Sequence, residues 1–404
     1  MGAPLRILLS ALEPSGDLQA AALARALRQR APDLELVGVG GEHLRAAGVP
    51  LLLEGHTWSV IGPTEAVFRL PDILLALPRY KRMLVAARPD LSVFIDSPAV
   101  HMRLARLCRR HGLRSAYYFP PSAWTTSSRR LRQIHQRVDA VIPTFAFSAR
   151  AYEREGLPVA YYGHPLVDLF TPPPDREQAR AELGLAPGRY VTLLPGSRTQ
   201  EVRLLLPLLL EVARRLRARH ADLRFLVPCA NAALERRIRR VAGGEPGVLL
   251  LSGQAGRAMA VSDLALGASG SVSLEAALVG VPLVLLYKLN RVDMMLARLL
   301  ASLGLLRVRR FALPNLVLDR DVCPELLQEE ASPQRIEAEA LALLEDQEAR
   351  RAMQADLARV RAALGRPGVI PRVAALVHHL ASGCDLARAR ARVEEEFAAV
   401  QVAD

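Results

Sequence analysis

The chain alternates short apolar runs with longer stretches of helical periodicity, and this alternation occurs twice. Apolar runs of such length, separated by helices, are typical of parallel strands that are buried on both faces. In the first half, the predicted strands are 5–11, 34–40, 91–96, 114–119 and 139–144. Helices are predicted at 18–30, 64–87 and 99–111, so we expect a parallel sheet with helices on both faces.

A proline-rich segment, "LFTPPPDREQ" at 169–178, interrupts this pattern before it starts again. Beyond the break, the predicted strands are 190–197, 223–228, 247–253, 263–269 and 281–287. Helices are predicted at 199–219 and 231–241, and the chain beyond about 332 is helical. Two halves of similar size predict an α/β fold of two Rossmann-like domains, with ligands bound in a cleft at the carboxyl ends of the strands.

Length and composition narrow the class of protein. At 404 residues and 51% apolar content, the chain can form two well-packed cores, and global disorder is excluded. No apolar run reaches the roughly 20 residues of a membrane-spanning helix, and the N-terminus lacks the pattern of a signal peptide. The four cysteines lie apart, without C-x-x-C spacing, at Cys108, Cys229, Cys323 and Cys384. Such spacing favours a reducing cytoplasm and argues against a zinc site.

The net charge of +12 comes almost entirely from arginine, since Lys81 and Lys288 are the only lysines. Genome composition can explain part of this excess, but the segment 97–138 has no Asp or Glu while arginines accumulate in it. A basic face of this kind attracts phosphates on nucleic acid, anionic lipid or a small substrate. Nucleic acid is the least favoured of these, because aromatic residues make up only 5% and no recognition module is present.

Two predicted strands of the first half end in residues that suit a binding site. "LEPSGD" (12–17) brings Ser15, Gly16 and Asp17 to the start of a helix, where Asp17 also suits a helix N-cap. "FIDSP" (94–98) brings Asp96 to the end of an apolar strand. A general base at the mouth of a cleft is one interpretation of Asp96, and a cap of the following helix is the other.

Two strands of the second half end in small residues. In "LLPGSR" (193–198), Gly196 allows close backbone approach, and Arg198 can bind a phosphate. In "GASGSVSLE" (267–275), the helix N-terminus offers free amides, and Glu275 could accept from ribose hydroxyls. Ordinary tight turns remain the alternative for both segments. No G-x-G-x-x-G with a ribose-binding acid and no Walker motif occurs, which counts against NAD and ATP.

Further short motifs accompany these four, in a joint spacing that is more specific than any one of them. They are "EPSGD" (13–17), "GVGGEHLRAAGV" (38–49), "IGPTE" (61–65), "FIDSP" (94–98), "YYFPPSAW" (117–124), "GHPLVD" (163–168), "LLPGSR" with Glu201, "ASGSVSLE" (268–275), "YK" (287–288) and "LPNL" with "PELLQEE" (313–330). Together they resemble the lipid-A-disaccharide synthase family over almost the whole chain. The resemblance implies an inverting GT-B glycosyltransferase that uses no metal or other cofactor. It would transfer 2,3-diacylglucosamine from UDP to 2,3-diacylglucosamine 1-phosphate and form a β(1→6) disaccharide.

The resemblance also implies domains and roles. We expect an acceptor-side domain at 1–168, with the C-terminal helices at 366–404 packed back on it, and a UDP-sugar-binding domain at 171–365. The implied donor-binding residues are Gly196, Ser197, Arg198, Glu201, Ser269, Gly270, Ser271, Glu275, Lys288 and Asn315. The turn at 268–271 would hold the diphosphate, Glu275 the ribose, and Arg198 with Lys288 the charge of the leaving group. Asp96 would take the proton of the acceptor's 6-hydroxyl. The implied acceptor or cleft residues are Ser15, Gly16, Asp17, Trp124 and His164.

The departures from the family pattern lie in the half expected to hold the acceptor. Leu12 replaces a glycine, and Ala99, Val100 and His101 stand where Asp-Phe-Asn is usual. The segment "AWTTSS" (123–128), with Thr126 and Ser127, lacks an aromatic residue and an arginine. The donor-side motifs at 193–198 and 268–275 match the family pattern, so the departures concern the acceptor and not the UDP-sugar. The alternatives are a UDP-sugar transferase for another lipid acceptor, a UDP-N-acetylglucosamine 2-epimerase with His164 as its candidate acid-base group, and a sugar-nucleotide sensor.

The expected partners are a UDP-sugar donor, an acylated sugar-phosphate acceptor and an anionic membrane surface, while a homodimer is left open. Two segments favour peripheral binding at the inner face of the membrane. In 68–84, a leucine-rich helical stripe lies beside Arg79, Lys81 and Arg82, and 292–310 combines Met294 and Met295 with several arginines. Such helices can lie in the membrane interface, although a stripe of this spacing is also typical of a core helix.

Overall fold

A computed structural model describes residues 4–55, 77–121, 127–290, 292–295 and 310–401. The chain forms two compact units: Met1–Asp168 with Gly365–Asp404, and Leu169–Leu364. Trp124, the "IGPTE" motif and most of the two segments with predicted membrane contacts lie outside the described residues. Among the helices of the described ranges, none is long and apolar enough to cross a membrane.

Parallel strands form one sheet in each unit. The strands of the first unit are β1 (Arg6–Ala11), β2 (Glu35–Gly40), β3 (Leu51–Glu54), β4 (Leu91–Ile95), β5 (Ser115–Tyr118) and β6 (Ala140–Ile142). Those of the second unit are β7 (Arg189–Leu194), β8 (Leu223–Cys229), β9 (Val248–Ser252), β10 (Leu264–Ala268), β11 (Leu283–Tyr287) and β12 (Glu325–Leu327).

Helices connect the strands and complete both units. In the first part of the chain they are α1 (Pro14–Arg30), α2 (Glu42–Ala46), α3 (77–87), α4 (Pro98–Arg110), α5 (Ser128–His135), α6 (Ala146–Arg154) and α7 (Leu166–Leu169). Next come α8 (Arg176–Glu182), α9 (Thr199–Arg219), α10 (Ala232–Ala242), α11 (Ala255–Val261), α12 (Ser271–Val279) and α13 (292–295). The last are α14 (Leu313–Leu318), α15 (Pro333–Glu345), α16 (Gln347–Ala363), α17 (Val369–Ala381) and α18 (Leu386–Gln401).

The two sheets share one connectivity. Their strand orders are β3-β2-β1-β4-β5-β6 and β12-β11-β10-β7-β8-β9, which coincide when the second is read from its opposite edge. In this Rossmann order the winding of the chain reverses between the first and fourth strands, and ligands bind at the carboxyl ends beside that switch point. The prediction of an α/β chain with two Rossmann-like parallel sheets is confirmed.

The central strands of the first sheet are apolar because both of their faces are covered. Ile7 and Leu9 pack in one core cluster with residues of α1 and α17, including Leu376. Leu8 and Phe94 belong to the cluster on the other face, which includes Tyr80 of α3. Successive residues of a strand point to opposite faces, so β1 needs apolar side chains at consecutive positions.

The apolar pattern does not predict the edge strands β3 and β12. They contain four and three residues, and β3 exposes alternate positions to solvent. Only one of their residues is fully buried, whereas all three residues of the equally short β6 are, so they do not form a recognisable buried run. Both lie at sheet edges, so they define the borders of the sheets but not the switch points.

Candidate active site

The carboxyl ends of β1 and β4 meet at the switch point of the first sheet, where they bring two predicted motifs together. Ala11 and Ile95, the last residues of these strands, are paired across the sheet. The chain continues from β1 into Gly16 on α1 and from β4 into Asp96. Gly16 lies so close to Asp96 that a Cβ atom on Gly16 would overlap Oδ2 of the carboxylate. Only a glycine fits at this position without moving Asp96.

The carboxylate of Asp96 is buried. Both of its oxygens are inaccessible to solvent, and neither accepts a hydrogen bond of good geometry from the described part of the chain. It does not cap α4, whose N-cap residue Ser97 makes no side-chain capping bond either. A buried carboxylate without a partner is expensive to maintain and is a candidate functional group.

Burial raises the pKa of the Asp96 carboxyl well above its ordinary value. The nearby Ser97 hydroxyl and the backbone N–H groups of Leu12 and Glu13 offset part of this shift, and the Glu13 carboxylate raises the pKa further. The backbone of Asp96 has a φ of 59° and that of Ser97 a φ of 43°, both in the left-handed region that residues with a Cβ rarely adopt. The turn therefore carries backbone strain at the residue whose carboxyl has a raised pKa.

The carbonyl oxygen of Asp96 accepts two hydrogen bonds from side chains. The Tyr117 hydroxyl lies 2.8 Å away, and Nδ1 of His101 also lies 2.8 Å away. Sequence reasoning identified His101 only as a departure from the family pattern and did not consider Tyr117. A histidine one turn into the helix after the strand is the signal that could have drawn attention to this interaction.

Asp17 lies beside this site, but its carboxylate is occupied. It accepts hydrogen bonds from the backbone N–H groups of Gly41 at 2.7 Å, His43 at 2.8 Å and Leu44 at 3.4 Å. These groups form the start of α2, so Asp17 holds the loop that follows β2. Ser15 is exposed at the N-terminus of α1. A contact of either residue with an acceptor stays a prediction.

His164 is buried among aromatic rings. The ring centroid of Phe145 lies 4.9 Å from that of the imidazole, and the Phe119 ring meets it edge-on at 5.7 Å. Its Nδ1 accepts the N–H of Leu166 at 3.3 Å. Burial lowers the pKa of His164 to about 3, so the ring is neutral and positioned for packing.

Asp168, in the same "GHPLVD" motif, caps the helix α17. Its carboxylate accepts the N–H groups of Gly368 at 2.7 Å, Val369 at 3.2 Å and Ile370 at 2.6 Å. These are free amides at the start of a helix, which a carboxylate satisfies well. The motif therefore fixes α17 to the first unit.

In the second unit, the carboxyl ends of β7 and β10 meet at the corresponding switch point. Gly267 of β10 lies against Leu194 of β7, and a Cβ atom on this glycine would overlap the Leu194 carbonyl oxygen. The loops leaving these strands enter α9 and α12, and neither helix has a side-chain cap at its N-terminus. Uncapped N-terminal amides at a switch point suit an anionic ligand.

Glu201 shapes the first of these loops. Its carboxylate accepts the N–H of Ser197 at 2.9 Å and pairs with the Arg198 guanidinium at 3.1 Å. Gly196 has a φ of 108°, and a Cβ atom there would overlap Glu201. The loop therefore requires glycine for two reasons, and Glu201 orients Arg198.

Glu275 lies one turn into α12, beyond Gly270 and Ser271. Burial raises the pKa of its carboxyl to about 7. Within the described ranges, no side chain forms an ion pair or hydrogen bond with this carboxylate. Lys288 follows directly after β11, the neighbour of β10 in the sheet. An acid without a partner in the described part of the chain, beside uncapped helix amides, suits a ligand that brings hydroxyl groups.

Ser269 and Asn315 are engaged in structural contacts. The Ser269 hydroxyl donates to the Phe311 carbonyl at 3.2 Å. The Asn315 amide is buried, accepts the N–H groups of Val322 at 2.8 Å and Cys323 at 3.0 Å, and donates to the Glu325 carboxylate at 2.6 Å. Asn315 thus holds the segment between α14 and β12 in place through hydrogen bonds. A direct contact of Asn315 with the UDP-sugar donor stays a prediction.

Each unit has a Rossmann-like parallel sheet, and two loops leave that sheet side by side at its switch point. Two such units in one chain define a protein of GT-B architecture. Two solved structures share the fold. The UDP-GlcNAc 2-epimerase from Neisseria meningitidis, solved bound to UDP-GlcNAc, has a TM-score of 0.60 and 12% identity and covers 93% of this chain and 99% of its own. The spinosyn rhamnosyltransferase SpnG has a TM-score of 0.58 and 17% identity, with the same two coverages. At such identities the likeness concerns the fold alone.

Sequence comparison identifies the family. A family model described as lipid-A-disaccharide synthetase matches residues 7–377. The lipid-A-disaccharide synthase of Geobacter sulfurreducens is 37% identical over 374 residues, which cover 92% of this chain and 96% of that protein. The Pseudomonas aeruginosa enzyme is 40% identical over 345 residues, or 85% and 90% of the two chains. The chain belongs to the lipid-A-disaccharide synthase family, and the prediction of this glycosyltransferase class is confirmed.

Proposed function

We propose that this chain transfers a 2,3-diacylglucosaminyl group from UDP to the 6-hydroxyl of 2,3-diacylglucosamine 1-phosphate, with inversion at the anomeric carbon. The observation that carries the proposal is the Asp96 carboxylate, which is buried and without a hydrogen-bond partner among the described residues. It lies at the switch point of the first sheet, where this fold class binds ligands. The family membership supplies the chemical identity of the two substrates.

In the proposed reaction, Asp96 is the general base. The acceptor's 6-oxygen forms a bond to the anomeric carbon while its proton moves to the Asp96 carboxylate. The bond from the anomeric carbon to the UDP oxygen breaks, and UDP leaves with the electron pair. Because burial raises the pKa of Asp96, its carboxylate is a stronger base than that of an ordinary aspartate, which favours proton abstraction from the acceptor hydroxyl.

The second unit supplies the proposed donor site. The uncapped N-termini of α9 and α12 would bind the diphosphate through backbone amides, with Arg198 and Lys288 balancing its charge. Glu275 would accept hydrogen bonds from the ribose hydroxyls, which its lack of a partner among the described residues favours. The similar fold of the Neisseria meningitidis protein bound to UDP-GlcNAc agrees with a UDP-sugar donor.

We assign an indirect role to three of the residues predicted to bind substrate. Asp17, Glu201 and Asn315 use their polar groups within the protein, where they hold the loops after β2, after β7 and before β12. Their substitution is expected to disturb binding through loop geometry. The alternative of a 2-epimerase is less favoured, because the neutral, ring-packed His164 is a poor acid-base group.

We further propose that the protein docks on an anionic membrane, from which its acylated substrates enter. In α13, Val292 and Met295 are 53% and 68% exposed, whereas Asp293 is 2% exposed and bonded to Asn290 at 2.7 Å. This turn exposes apolar side chains and buries its acid, the reverse of an ordinary surface turn. The first unit has a separate feature that favours lipid phosphates, because the arginines of its helices α4 and α5 are exposed.

The proposed reaction has a direct test. The protein is incubated with UDP-2,3-diacylglucosamine and 2,3-diacylglucosamine 1-phosphate, and the products are analysed by mass spectrometry. The expected products are UDP and the disaccharide monophosphate in equal amounts, with a strong loss in the Asp96→Asn variant. Release of UDP without disaccharide, or epimerisation of the donor sugar, would overturn the assignment.

A further inference from the structure

A chain of buried polar side chains leads from α3 to the backbone of Asp96. The Tyr80 hydroxyl donates to the Ser10 hydroxyl at 2.5 Å. Ser10 lies 2.8 Å from Nε2 of His101, and Nδ1 of His101 lies 2.8 Å from the Asp96 carbonyl oxygen. Tyr80, Ser10 and His101 are all fully buried. Such a network is stable only if each hydrogen has a definite acceptor.

The direction of the hydrogens follows from the last bond in this network. A carbonyl oxygen only accepts, so Nδ1 of His101 carries the hydrogen. Nε2 is then the acceptor in the neutral ring, and the Ser10 hydroxyl must donate to it. Tyr80 in turn donates to Ser10, so every hydrogen bond points towards Asp96. Burial lowers the pKa of His101 to about 4, which keeps the ring neutral at physiological pH.

The same carbonyl has a second donor, and the imidazole has a fixed orientation. The Tyr117 hydroxyl donates to the Asp96 carbonyl at 2.8 Å. Phe94 stacks on the His101 ring at a centroid distance of 5.1 Å, and Tyr117 meets that ring edge-on at 6.4 Å. Two donors occupy both lone pairs of the carbonyl, so the peptide between Asp96 and Ser97 cannot rotate without breaking buried bonds.

The orientation of this peptide determines where the Asp96 side chain points. Asp96 and Ser97 are both in the left-handed region, with φ values of 59° and 43°. The surrounding structure must impose this conformation, because it is sparsely populated by residues with a Cβ. The buried donors that fix the Asp96 carbonyl therefore also fix its Cα–Cβ direction beside Gly16.

We infer that His101 is the positioning residue of the proposed general base, and that Ser10 and Tyr80 hold it in the required tautomer. His101 does not touch the reacting atoms and acts through the backbone of Asp96. This inference rests on the proposed role of Asp96. Glu13 and Tyr117 also interact electrostatically with the Asp96 carboxyl. Neither residue belongs to the series of hydrogen bonds from Tyr80 through Ser10 to His101.

Two substitutions of His101 separate positioning from packing. In His101→Asn, Nδ2 is in the place of the imidazole Nδ1 and keeps the donor to the Asp96 carbonyl. In His101→Leu, an apolar side chain fills the site without a donor. We expect kcat of the Leu variant to fall about tenfold to a hundredfold, since a small displacement of a catalytic group has this effect. KM for both substrates should change less than about threefold, and the Asn variant should keep most of kcat.

The control is His379→Leu in the same unit. His379 is also buried, and its Nε2 is bonded to the Glu396 carboxylate at 2.7 Å, far along the chain from Asp96. This variant should lose thermal stability without losing kcat. Equal losses of kcat in His379→Leu and His101→Leu would show a general packing effect and overturn the inference. If His101→Leu does not fold, Ser10→Ala and Tyr80→Phe replace it, with a loss of kcat expected in both because each removes a donor of the chain that ends at His101.

A spectroscopic measurement tests the network without activity. In protein labelled with 15N-histidine, His101 should show a neutral ring protonated at Nδ1, unchanged from about pH 5.5 to 8.5. A ring protonated at Nε2, or one that titrates near its ordinary pKa of about 6.5, would overturn the chain of hydrogen bonds.

The proposed transferase function and the positioning role of His101 can be tested separately. If the wild-type protein forms no disaccharide, the proposed function fails, while the tautomer measurement still decides whether the network exists. If the wild type is active and Asp96→Asn is not, but His101→Leu turns over as fast as the wild type, the positioning role alone is wrong.

Discussion

Gly16 on α1 lies directly against the carboxylate of Asp96, with no room between them for a methyl group. The two residues come from different βα connections and meet because β1 and β4 are neighbours in the sheet. The "EPSGD" and "FIDSP" motifs therefore form one site, in which a backbone without a side chain makes space for an acid.

Substitution Gly16→Ala should displace the Asp96 carboxylate. Because the overlapping atom is an oxygen of the proposed base, we expect turnover to fall about tenfold to a hundredfold while the fold is kept. Gly244→Ala is the control, since a Cβ atom at Gly244 has no neighbour within 4 Å. Steady-state kinetics and melting temperatures of both variants test this expectation, and normal turnover in Gly16→Ala would contradict the proposed geometry.

Asp96→Asn should lower turnover by about a hundredfold or more, the range expected when a general base is lost. The same substitution should stabilise the folded protein at pH 8, although it lowers turnover. A raised pKa means that the folded protein holds this proton more tightly than the unfolded chain, so stability is lost as pH rises above the ordinary aspartate pKa of about 3.9. The Asn variant should therefore melt at or above the wild-type temperature at pH 8, with a gap that shrinks towards pH 4. A lower melting temperature at pH 8 would favour a structural role.

Glu275→Gln should weaken uridine binding at pH 8 by about 1–3 kcal/mol, because a charged acceptor of the ribose hydroxyls is lost. Burial raises the pKa of Glu275 to about 7, so the wild type is mostly protonated at pH 6 and the difference between the two proteins should be smaller there. Calorimetry with uridine avoids titration of the phosphate groups.

Arg198→Ala is the companion variant to Glu275→Gln. It should weaken the binding of UDP by a similar amount, about 1–3 kcal/mol, because a guanidinium in the loop after β7 acts on the diphosphate. The binding of uridine, which has no diphosphate, should not change. Equal affinity of both variants and the wild type for UDP would remove the donor site from the second unit.

Asp168→Ala should lower the free energy of unfolding by about 1–2 kcal/mol, because three backbone amides of α17 lose their acceptor. Asp175→Ala, which removes an exposed cap that accepts the Gln178 N–H at 2.9 Å, is the matched control and should have a smaller effect. Denaturant unfolding measures both. UDP affinity should not change in either variant, and a loss of affinity in Asp168→Ala would point to a role beyond capping.

Val292→Glu and Met295→Glu should weaken binding to vesicles that contain anionic lipid, because both side chains are exposed apolar groups of α13. Co-sedimentation at low and high salt measures the apolar and the electrostatic contributions separately. Leu249→Glu is the control, since Leu249 is a 40% exposed apolar residue on a strand of the second sheet. No binding of the wild type to anionic vesicles at low salt would refute the membrane proposal.

The sequence was sufficient to predict the strands and helices that form the two switch points. Short continuous apolar runs such as β4 and β10, bounded by turn residues, predict buried strands, and the residues that follow a parallel strand lie at the carboxyl edge of its sheet. Asp96 and Glu275 could therefore be assigned to candidate sites from their positions alone.

The partners of these residues could not be predicted in the same way. Asp17 suits a helix N-cap by its local sequence, yet its carboxylate binds the amides of Gly41 and His43 in a different connection. Asn315 similarly forms its bonds with Val322 and Cys323 through a loop geometry that has no periodic signal. Long-range hydrogen bonds depend on how two elements pack, and hydrophobic periodicity reports only that each of them is buried.

The first unit draws on both ends of the chain, and this has a consequence for synthesis. Leu376 of α17 belongs to the same core as Ile7 and Leu9 of β1, whereas the second unit is a single continuous stretch, Leu169–Leu364. On the ribosome, the second sheet can be completed while the first still exposes the apolar face that α17 will cover. A nonsense codon just before Val369 would thus harm the part of the protein made earliest, and the nascent N-terminal half is the stage at which we expect chaperones to be needed.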